Sequence, residues 1–402
     1  MSAAVPLSEP RVSPELRATI FYFVQYMAGA VVSVYGGIWF AAQGLTSEEI
    51  GILNAFPVLV ILVLNMLVGR IADRASDWRQ VIVFGSVLSG IVPLALFFVH
   101  GFWGILAVWT LLSLPAGLVG PVVDAATLRM TNRRGSQFGP IRAWGTVGYM
   151  VMLVLSGFII AALGGGIFLP LFVGLCLVRT VASFGLPRFR GEKGEASVAP
   201  PSTGARHLRD VLKPFFVLPL VGFSMVYSTH IVLNAFQGLL WKEQGFSEDV
   251  IGPLLAVGAL AEAGLMFIFG RFANRFPARS LILASAIVAV FRWACMAFEP
   301  GIIPLIPLQA LNAITFALGY MGCLHFIANW TSDDIAAETQ GFFQVLLLGM
   351  SVIALLAFGW LTGLMGAKAY LVAAVFAGLG GVLIWLSLAM QSPKQPGAPA
   401  LG

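Results

Sequence analysis

Charge is what this 402-residue chain has least of. Asp, Glu, Lys and Arg together make up 10% of it and hydrophobic residues 59%, whereas soluble domains carry about 25% charged residues. A soluble protein built on an ordinary core is excluded by that balance. Cysteine is scarce too: Cys176, Cys295 and Cys323 each sit inside an apolar segment without metal-ligand spacing, so neither a disulfide framework nor a metal site is implied. The four histidines form no His-Glu-x-x-His cluster, and no Ser or Asp nucleophile lies beside a base. These gaps argue against an enzyme. No Gly-rich nucleotide loop is present, so no cofactor is expected and an ion gradient is left as the energy source. The net charge of +5 forms no basic stripe with an aromatic platform, so no nucleic-acid partner is expected. Residues 1–16 are polar, contain Pro6, Pro10 and Pro14, and lack an apolar stretch before a small-residue cleavage site. They read as a cytoplasmic tail and not as a signal peptide.

What the chain has instead is one pattern twice. Leu45 to Arg74 reads LTSEEIGILNAFPVLVILVLNMLVGRIADR, and Phe246 to Arg275 reads FSEDVIGPLLAVGALAEAGLMFIFGRFANR, an offset of 246 − 45 = 201 residues, half the chain. Without a gap the two share Ile50/Ile251, Gly51/Gly252, Gly69/Gly270, Arg70/Arg271, Ala72/Ala273 and Arg74/Arg275, and Gln43-Gly44 extends the register to Gln244-Gly245. A repeat of this length governs the architecture. Each copy has an acidic start, an apolar middle long enough to cross a bilayer core of about 30 Å, and a basic end.

Further apolar segments fall at about 17–41, 48–69, 80–99, 102–127, 139–162 and 164–186, then at about 213–240, 248–270, 280–298, 301–328, 340–364 and 368–391. They predict an all-α integral membrane protein of twelve helices, six per half. Arg70, Arg74 and Arg79, then Arg129, Arg133 and Arg134, then Arg271, Arg275 and Arg279 fall in alternate connections, while the others carry only Lys242 and Lys368. That bias places both termini in the cytoplasm of a plasma (inner) membrane protein. The expected organisation is a tail at 1–16, a six-helix bundle at 17–186, a Gly/Pro/Ser-rich linker at 187–212, a second bundle at 213–391 and a tail at 392–402. An even number of helices per half makes the repeats parallel, as in many secondary transporters.

Gly69-Arg70-Ile71-Ala72-Asp73-Arg74, followed by Arg79, resembles the loop motif of the major facilitator superfamily, and Gly270 to Arg275 resembles its weaker second copy, with Asn274 in place of Asp. The resemblance covers essentially the whole chain. It implies the twelve-helix major facilitator fold, alternating access, a cavity lined by helices 1, 4, 7 and 10, and a gating role for Asp73, Arg74 and Arg275; a solvated topogenic loop is the alternative for the motif.

Ionisable groups inside membrane helices cost several kcal/mol unless paired or hydrated, which makes each a functional candidate. Asp124 near the end of helix 4 and Arg142 in the first turn of helix 5 are brought together by a short connection, as a functional or a static pair. Glu262, about 14 residues into helix 8, cannot snorkel to water, and its repeat mate is Ile61. A carboxyl there is a candidate for proton exchange, with Arg292 in helix 9 as a possible partner or as one side of a static salt bridge. Arg179 in helix 6 can snorkel to the surface. His230 and His325 are further proton candidates, and His325 is the repeat mate of Asp124. Tyr22, Tyr26, Gly29 and Ser33 share one face of helix 1, and Tyr227, His230, Asn234 and Gln237 share one face of helix 7, either lining a cavity or joining helices.

Asp124 with Gly139-Pro140-Ile141-Arg142-Ala143-Trp144-Gly145-Thr146, Ala261-Glu262 and Arg292-Trp293 are similar to signatures of the phenylpropionate-permease branch, which lies beside the lactose-permease kind of proton symporter. The chain departs from that branch on helix 10, with Asn312 before Thr315-Phe316 and Tyr320 after. Residue chemistry, helical spacing and the resemblance together make Tyr26, Arg142, Trp144, Tyr227, His230, Asn234, Arg292 and Tyr320 the expected substrate-binding residues and Asp124, Glu262 and His325 the expected proton-coupling residues. The expectation is a monomeric proton symporter of a small, aromatic carboxylate such as phenylpropionate. A nucleoside or sugar symporter, a proton-exchanging exporter and a sensor without flux are the alternatives.

Overall fold

The computed structural model of the chain describes residues 12–74, 77–189, 213–271, 275–331 and 333–390, with the side chains of 65–74, 118 and 333–337 outside the description. Among these residues the regular structure is helical, with eleven runs long and apolar enough to cross a membrane. The last run, Glu338–Ala389, is 52 residues long. A 3-10 turn at Gly366–Lys368, with Gly366 at φ +57, divides it in two. The helices are α1 (Pro14–Ala42), α2 (Ser47–Arg74), α3 (Trp78–Phe97), α4 (Gly101–Arg134), α5 (Phe138–Leu163), α6 (Phe168–Phe184), α7 (Pro214–Glu243), α8 (Glu248–Ile268), α9 (Ala278–Met296), α10 (Ile302–Trp330), α11 (Asp333–Met365) and α12 (Ala369–Ala389).

Large apolar side chains such as Phe84, Trp103, Phe267, Ile303 and Val375 stay exposed around the outside, which is the surface a bilayer covers. The aromatic core of the first half, Trp39, Phe40, Trp109, Phe168 and Phe172, packs with ring centroids 4.9 to 6.1 Å apart. Two details differ from the sequence expectation. α4 continues to Arg134, so Arg129, Arg133 and Arg134 lie on a helix and not in a loop. Residues after 186 begin the expected linker, yet Phe189 is buried in the first half, its N–H donating to Asp77 Oδ1 at 3.3 Å and its carbonyl accepting from Arg133. Residues 190–212 lie outside the described residues.

The shared glycines of the repeat are explained by how the halves meet. A Cβ on Gly51 of α2 would stand 2.7 Å from Leu355 O and 3.1 Å from the Cα of Gly359, both on α11. Gly252, its repeat mate on α8, meets Leu153 and Gly157 of α5 in the same way, a Cβ on Gly252 standing 3.4 Å from the Cα of Gly157. Gly238 of α7 lies against Val34 O, and a Cβ on Gly37 of α1 would meet Ala235 O at 2.9 Å. Backbone packs on backbone at each point, which only small residues permit. Among the described residues every glycine-mediated approach between halves lies on the side of the α1–α2 and α7–α8 turns, away from the chain termini. Lys242 and Glu248 pair at 2.8 Å on that same side.

Candidate functional site

Between the halves is a cavity of about 630 Å³, walled by α1, α5, α7, α8 and α10. A pocket of this size with a few convergent polar groups is the form small-molecule sites take. From the first half it receives Tyr26, Arg142, Thr146 and Tyr149, and from the second Tyr227, His230, Asn234, Gln237, Glu262, Gln309, Asn312 and Phe316. The cavity reaches from the glycine seam toward the terminus side, where the Arg142 side chain is one third exposed.

The backbone is irregular where it faces this space. α1 breaks at Tyr26, which ends Pro14–Gln25 and begins Met27–Ala42, and Gly148 of α5 packs directly on Phe23 O one turn earlier. α10 runs as Ile302–Ala310, then, after Leu311 and Asn312, as a π-helix over Ala313–Leu318, then as Gly319–Trp330. A π segment inside a longer helix is a frequent mark of a functional site. Gly258 lies one turn before Glu262, and its missing Cβ leaves space 3.5 Å from Gln309 Oε1 and 3.6 Å from Asn312 Cβ. α8 and α10 therefore meet closely enough for their side chains to bond.

In the second half, the polar groups form one chain. Asn312 Nδ2 donates to Glu262 Oε2 at 3.0 Å, and Asn312 Oδ1 accepts from Arg292 Nη1 at 2.8 Å. Charge fixes which way this amide points, with oxygen toward the cation and nitrogen toward the carboxylate. Arg292 Nη1 also donates to Thr315 Oγ1 at 3.0 Å, and Nη2 donates to Gln309 Oε1 at 3.2 Å. His230 Nε2 lies 2.8 Å from the same Thr315 Oγ1, and its Nδ1 lies 3.0 Å from Val226 O. Val226 O can only accept, so Nδ1 donates to it, while the Thr315 hydroxyl lies within reach of both His230 Nε2 and Leu311 O, the latter at 3.1 Å. Arg292 is 0% exposed, and its guanidinium stands 4.8 Å from the Trp293 ring.

In the first half, Tyr22 Oη donates to Asp124 Oδ1 at 2.6 Å, and Arg142 Nε lies 3.2 Å from the same oxygen. The Arg142 guanidinium stands 4.8 Å from the Tyr26 ring centre. Its pair with Asp124 thus stays at the edge of the cavity, near water.

Several sequence expectations require correction. Glu262 and Arg292 do not pair directly, because Asn312 stands between them. Arg292 does not reach the cavity wall, since Gln309 and Asn312 cover it. Trp144 points away from the cavity, 48% exposed and edge-on to Phe23 at 6.2 Å. Tyr320 stacks between Phe316 and Phe343, outside the wall. His325 lies two turns nearer the Trp330 end of α10, with Nε2 3.5 Å from Asn329 Nδ2. Arg179 does not snorkel: it is 5% exposed and donates to Ser89 Oγ at 2.5 Å. Arg275 is exposed, while Asp73 and Arg74 have side chains outside the described residues. Gln309 and Tyr149 were not singled out by the sequence. The signal for Gln309 was present as Gln309-x-x-Asn312-x-x-Thr315, three polar residues in one row of a helix.

Comparison with known proteins agrees with this architecture. The chain is 25% identical over 364 residues to a probable 3-phenylpropionic acid transporter of Escherichia coli strain K12, covering 89% of this chain and 93% of that one. It is 26% identical to the maltose permease of Geobacillus stearothermophilus over 289 residues, 70% of each chain. Among solved structures, the nucleoside transporter NupG superposes with a TM-score of 0.79 at 17% identity, covering 95% of this chain and all of that one. A bacterial homologue of the human lysosomal transporter Spinster superposes with a TM-score of 0.73 at 15% identity, covering 94% and 98%. These relatives are transporters and not enzymes. The MFS_1 like family model matches residues 16–373, and the chain is therefore a multi-pass membrane transporter of the major facilitator superfamily, belonging to its MFS_1 like family.

Proposed function

We propose that the protein is a proton-coupled symporter of a small organic anion, an aromatic monocarboxylate of the 3-phenylpropionate kind, with Glu262 carrying the proton. The observation that carries this reading is the continuous bonding from Glu262 and Asn312 in the cavity wall to Arg292 buried behind them. A carboxyl and a guanidinium that share one movable amide can exchange a proton and an anion in a linked way. Tyr26, Tyr149, Tyr227 and Phe316 supply apolar faces for a ring, and Arg142 supplies a second cation at the open edge. The similarity to a probable 3-phenylpropionic acid transporter supports the same substrate class. In this reading the bundles at 17–186 and 213–391 rock about the cavity in a monomer. The arginine-rich ends face the cytoplasm, so the glycine seam closes the outer side and the cavity opens inward.

A second reading, a neutral nucleoside or sugar as substrate, is favoured by one observation. The wall carries the amides of Asn234, Gln237, Gln309 and Asn312, and buried Gln237 has no hydrogen-bond partner at either amide atom among the described residues. Amides of that kind suit hydroxyls and base edges. The discriminating experiment follows the external pH of lightly buffered proteoliposomes as 3-phenylpropionate, uridine or maltose is added. Alkalinisation with the acid alone supports the first reading, and alkalinisation with uridine or maltose alone replaces it with the second. No pH change with any compound that demonstrably binds removes proton symport.

A further inference from the structure

Arg292 would be the strongest anion site in the second half, yet nothing in the cavity can touch it. Its two terminal nitrogens are occupied by the amide oxygens of Gln309 and Asn312 and by Thr315 Oγ1, at 2.8 to 3.2 Å. Two neutral amide oxygens therefore stand where a carboxylate would sit on a guanidinium. The arrangement is incompletely satisfied: Arg292 Nε and Gln309 Nε2, on side chains 0% and 2% exposed, have no partner among the described residues. Both are donors, and a carboxylate offers acceptors only. The backbone that carries the amides is the interrupted part of α10, where Pro307 precedes the break and the π-helix follows it.

We propose that Asn312 and Gln309 form a movable amide screen over Arg292, held closed by ionised Glu262 through Asn312 Nδ2 and opened when Glu262 is neutral, so that a substrate carboxylate replaces the amide oxygens on the guanidinium. The inference rests on the anion-symport reading for the identity of the ligand, though the screen itself can be tested without one. A charge-assisted bond to Glu262 is roughly twice as strong as the neutral one that replaces it, and this difference is what releases the amide. The groups facing Glu262 from neighbouring helices are Tyr149 and Arg142 of α5, Tyr26 of α1, and Tyr227 and His230 of α7, with Arg292 behind Asn312. The other titratable groups of α10, Tyr320 and His325, lie nearer its Trp330 end and outside the cavity wall. Glu262 is thus the carboxyl among the cavity-lining residues, and the nearest fixed charge to it through bonds is the guanidinium it governs.

The test is the rate of phenylglyoxal modification at Arg292, read by peptide mass spectrometry on the purified full-length protein at one pH near neutrality. Wild type is expected to be slow. Glu262→Leu, which cannot hold the amide, and Asn312→Ala, which removes it, are each expected to react about tenfold faster, the change that losing one charge-assisted hydrogen bond produces. Equal rates in all three proteins overturn the screen, and so does acceleration in Asn312→Ala without acceleration in Glu262→Leu, because the carboxylate would then have no hold on the amide. Protection of Arg292 by 3-phenylpropionate but not by 3-phenylpropionamide, in the Asn312→Ala protein, places the carboxylate on the guanidinium. Fast labelling in both variants with no protection by the acid leaves the screen standing and removes the carboxylate reading instead.

Discussion

At the scale of single residues, Glu262 and Arg142 should behave in opposite ways. Glu262→Gln keeps the shape and an acceptor for Asn312 but removes the ionisable group, so gradient-driven uptake is expected to fall to background while substrate exchange at equal concentrations on both sides survives. Radiolabelled uptake and counterflow in proteoliposomes measure both, and intact driven uptake would refute the proton role. Arg142 pairs with Asp124 where the two side chains are 33% and 39% exposed, so the pair adds less than about 1 kcal/mol to stability. Arg142→Ala should therefore unfold near the wild-type temperature but bind a carboxylate much more weakly, with little change for its amide. Arg292 is the contrast. Replacing it with Met strands the oxygens of Gln309, Asn312 and Thr315 in the interior, and breaking one side of a buried polar network costs about 3–5 kcal/mol. Thermal unfolding in detergent should separate the two arginines clearly.

Residue chemistry was legible in the sequence only where a residue's own helix decides its surroundings. Tyr26, Tyr227, His230, Asn234 and Gln237 face the cavity because helical spacing aligns them, and that spacing can be read from the chain. Trp144 could not be placed by the same means, because its direction depends on which face of α5 meets α1 at Gly148. Arg179 read as able to snorkel because a helix end was near, but the Ser89 oxygens across on α3 satisfy it in the interior. The bridging by Asn312 was invisible for a related reason. It depends on α8 approaching α10 at Gly258, which does not follow from hydropathy.

At the scale of helices, the seam between halves depends on four glycines that contact one another's backbones, Gly51 with Gly359 and Gly157 with Gly252. A side chain at any of them must push two helices apart. Gly252→Leu is expected to disfavour the closed seam and raise the rate at which a maleimide reaches a single cysteine introduced into the cavity wall at Asn234 from the seam side of the membrane. An unchanged rate would mean that the seam yields elsewhere. α3 and α9 show a parallel device at the opposite membrane face: Arg79 donates to Phe184 O at the end of α6, and Arg279 donates to Ser387 O near the end of α12. Positive side chains on the last carbonyls of a helix satisfy acceptors that have no partner within it and complement its dipole. Arg79 and Arg279, two of the arginines behind the expected orientation, thus tie helix ends together.

At the scale of the whole molecule, the halves touch through α1–α7, α2–α11 and α5–α8, while residues 190–212 join them in sequence. If 17–186 and 213–391 are separate folding units, a chain divided between residues 200 and 201 and expressed as two pieces should reassemble and transport. Loss of transport with both pieces present in the membrane would assign the connection a role beyond tethering.

The paired contacts across the seam have the form of a two-fold self-complementary interface, where one site on the first copy meets a second site on its twin and the reverse contact mirrors it. A gene duplication that fused two subunits of a symmetric dimer leaves that signature. On the same 201-residue offset, however, Glu262, Arg292, Gln309, Asn312 and Thr315 correspond to Ile61, Ile91, Val108, Leu111 and Leu114, every one of them apolar. The repeat is therefore present in the glycine contacts between the halves and absent from the polar network of the second half. Those five apolar counterparts lie on α2, α3 and α4, outside the cavity wall, where the first half offers Tyr26, Arg142, Thr146 and Tyr149 instead, so the two sides of the cavity are chemically unlike and a cargo has distinguishable ends to place.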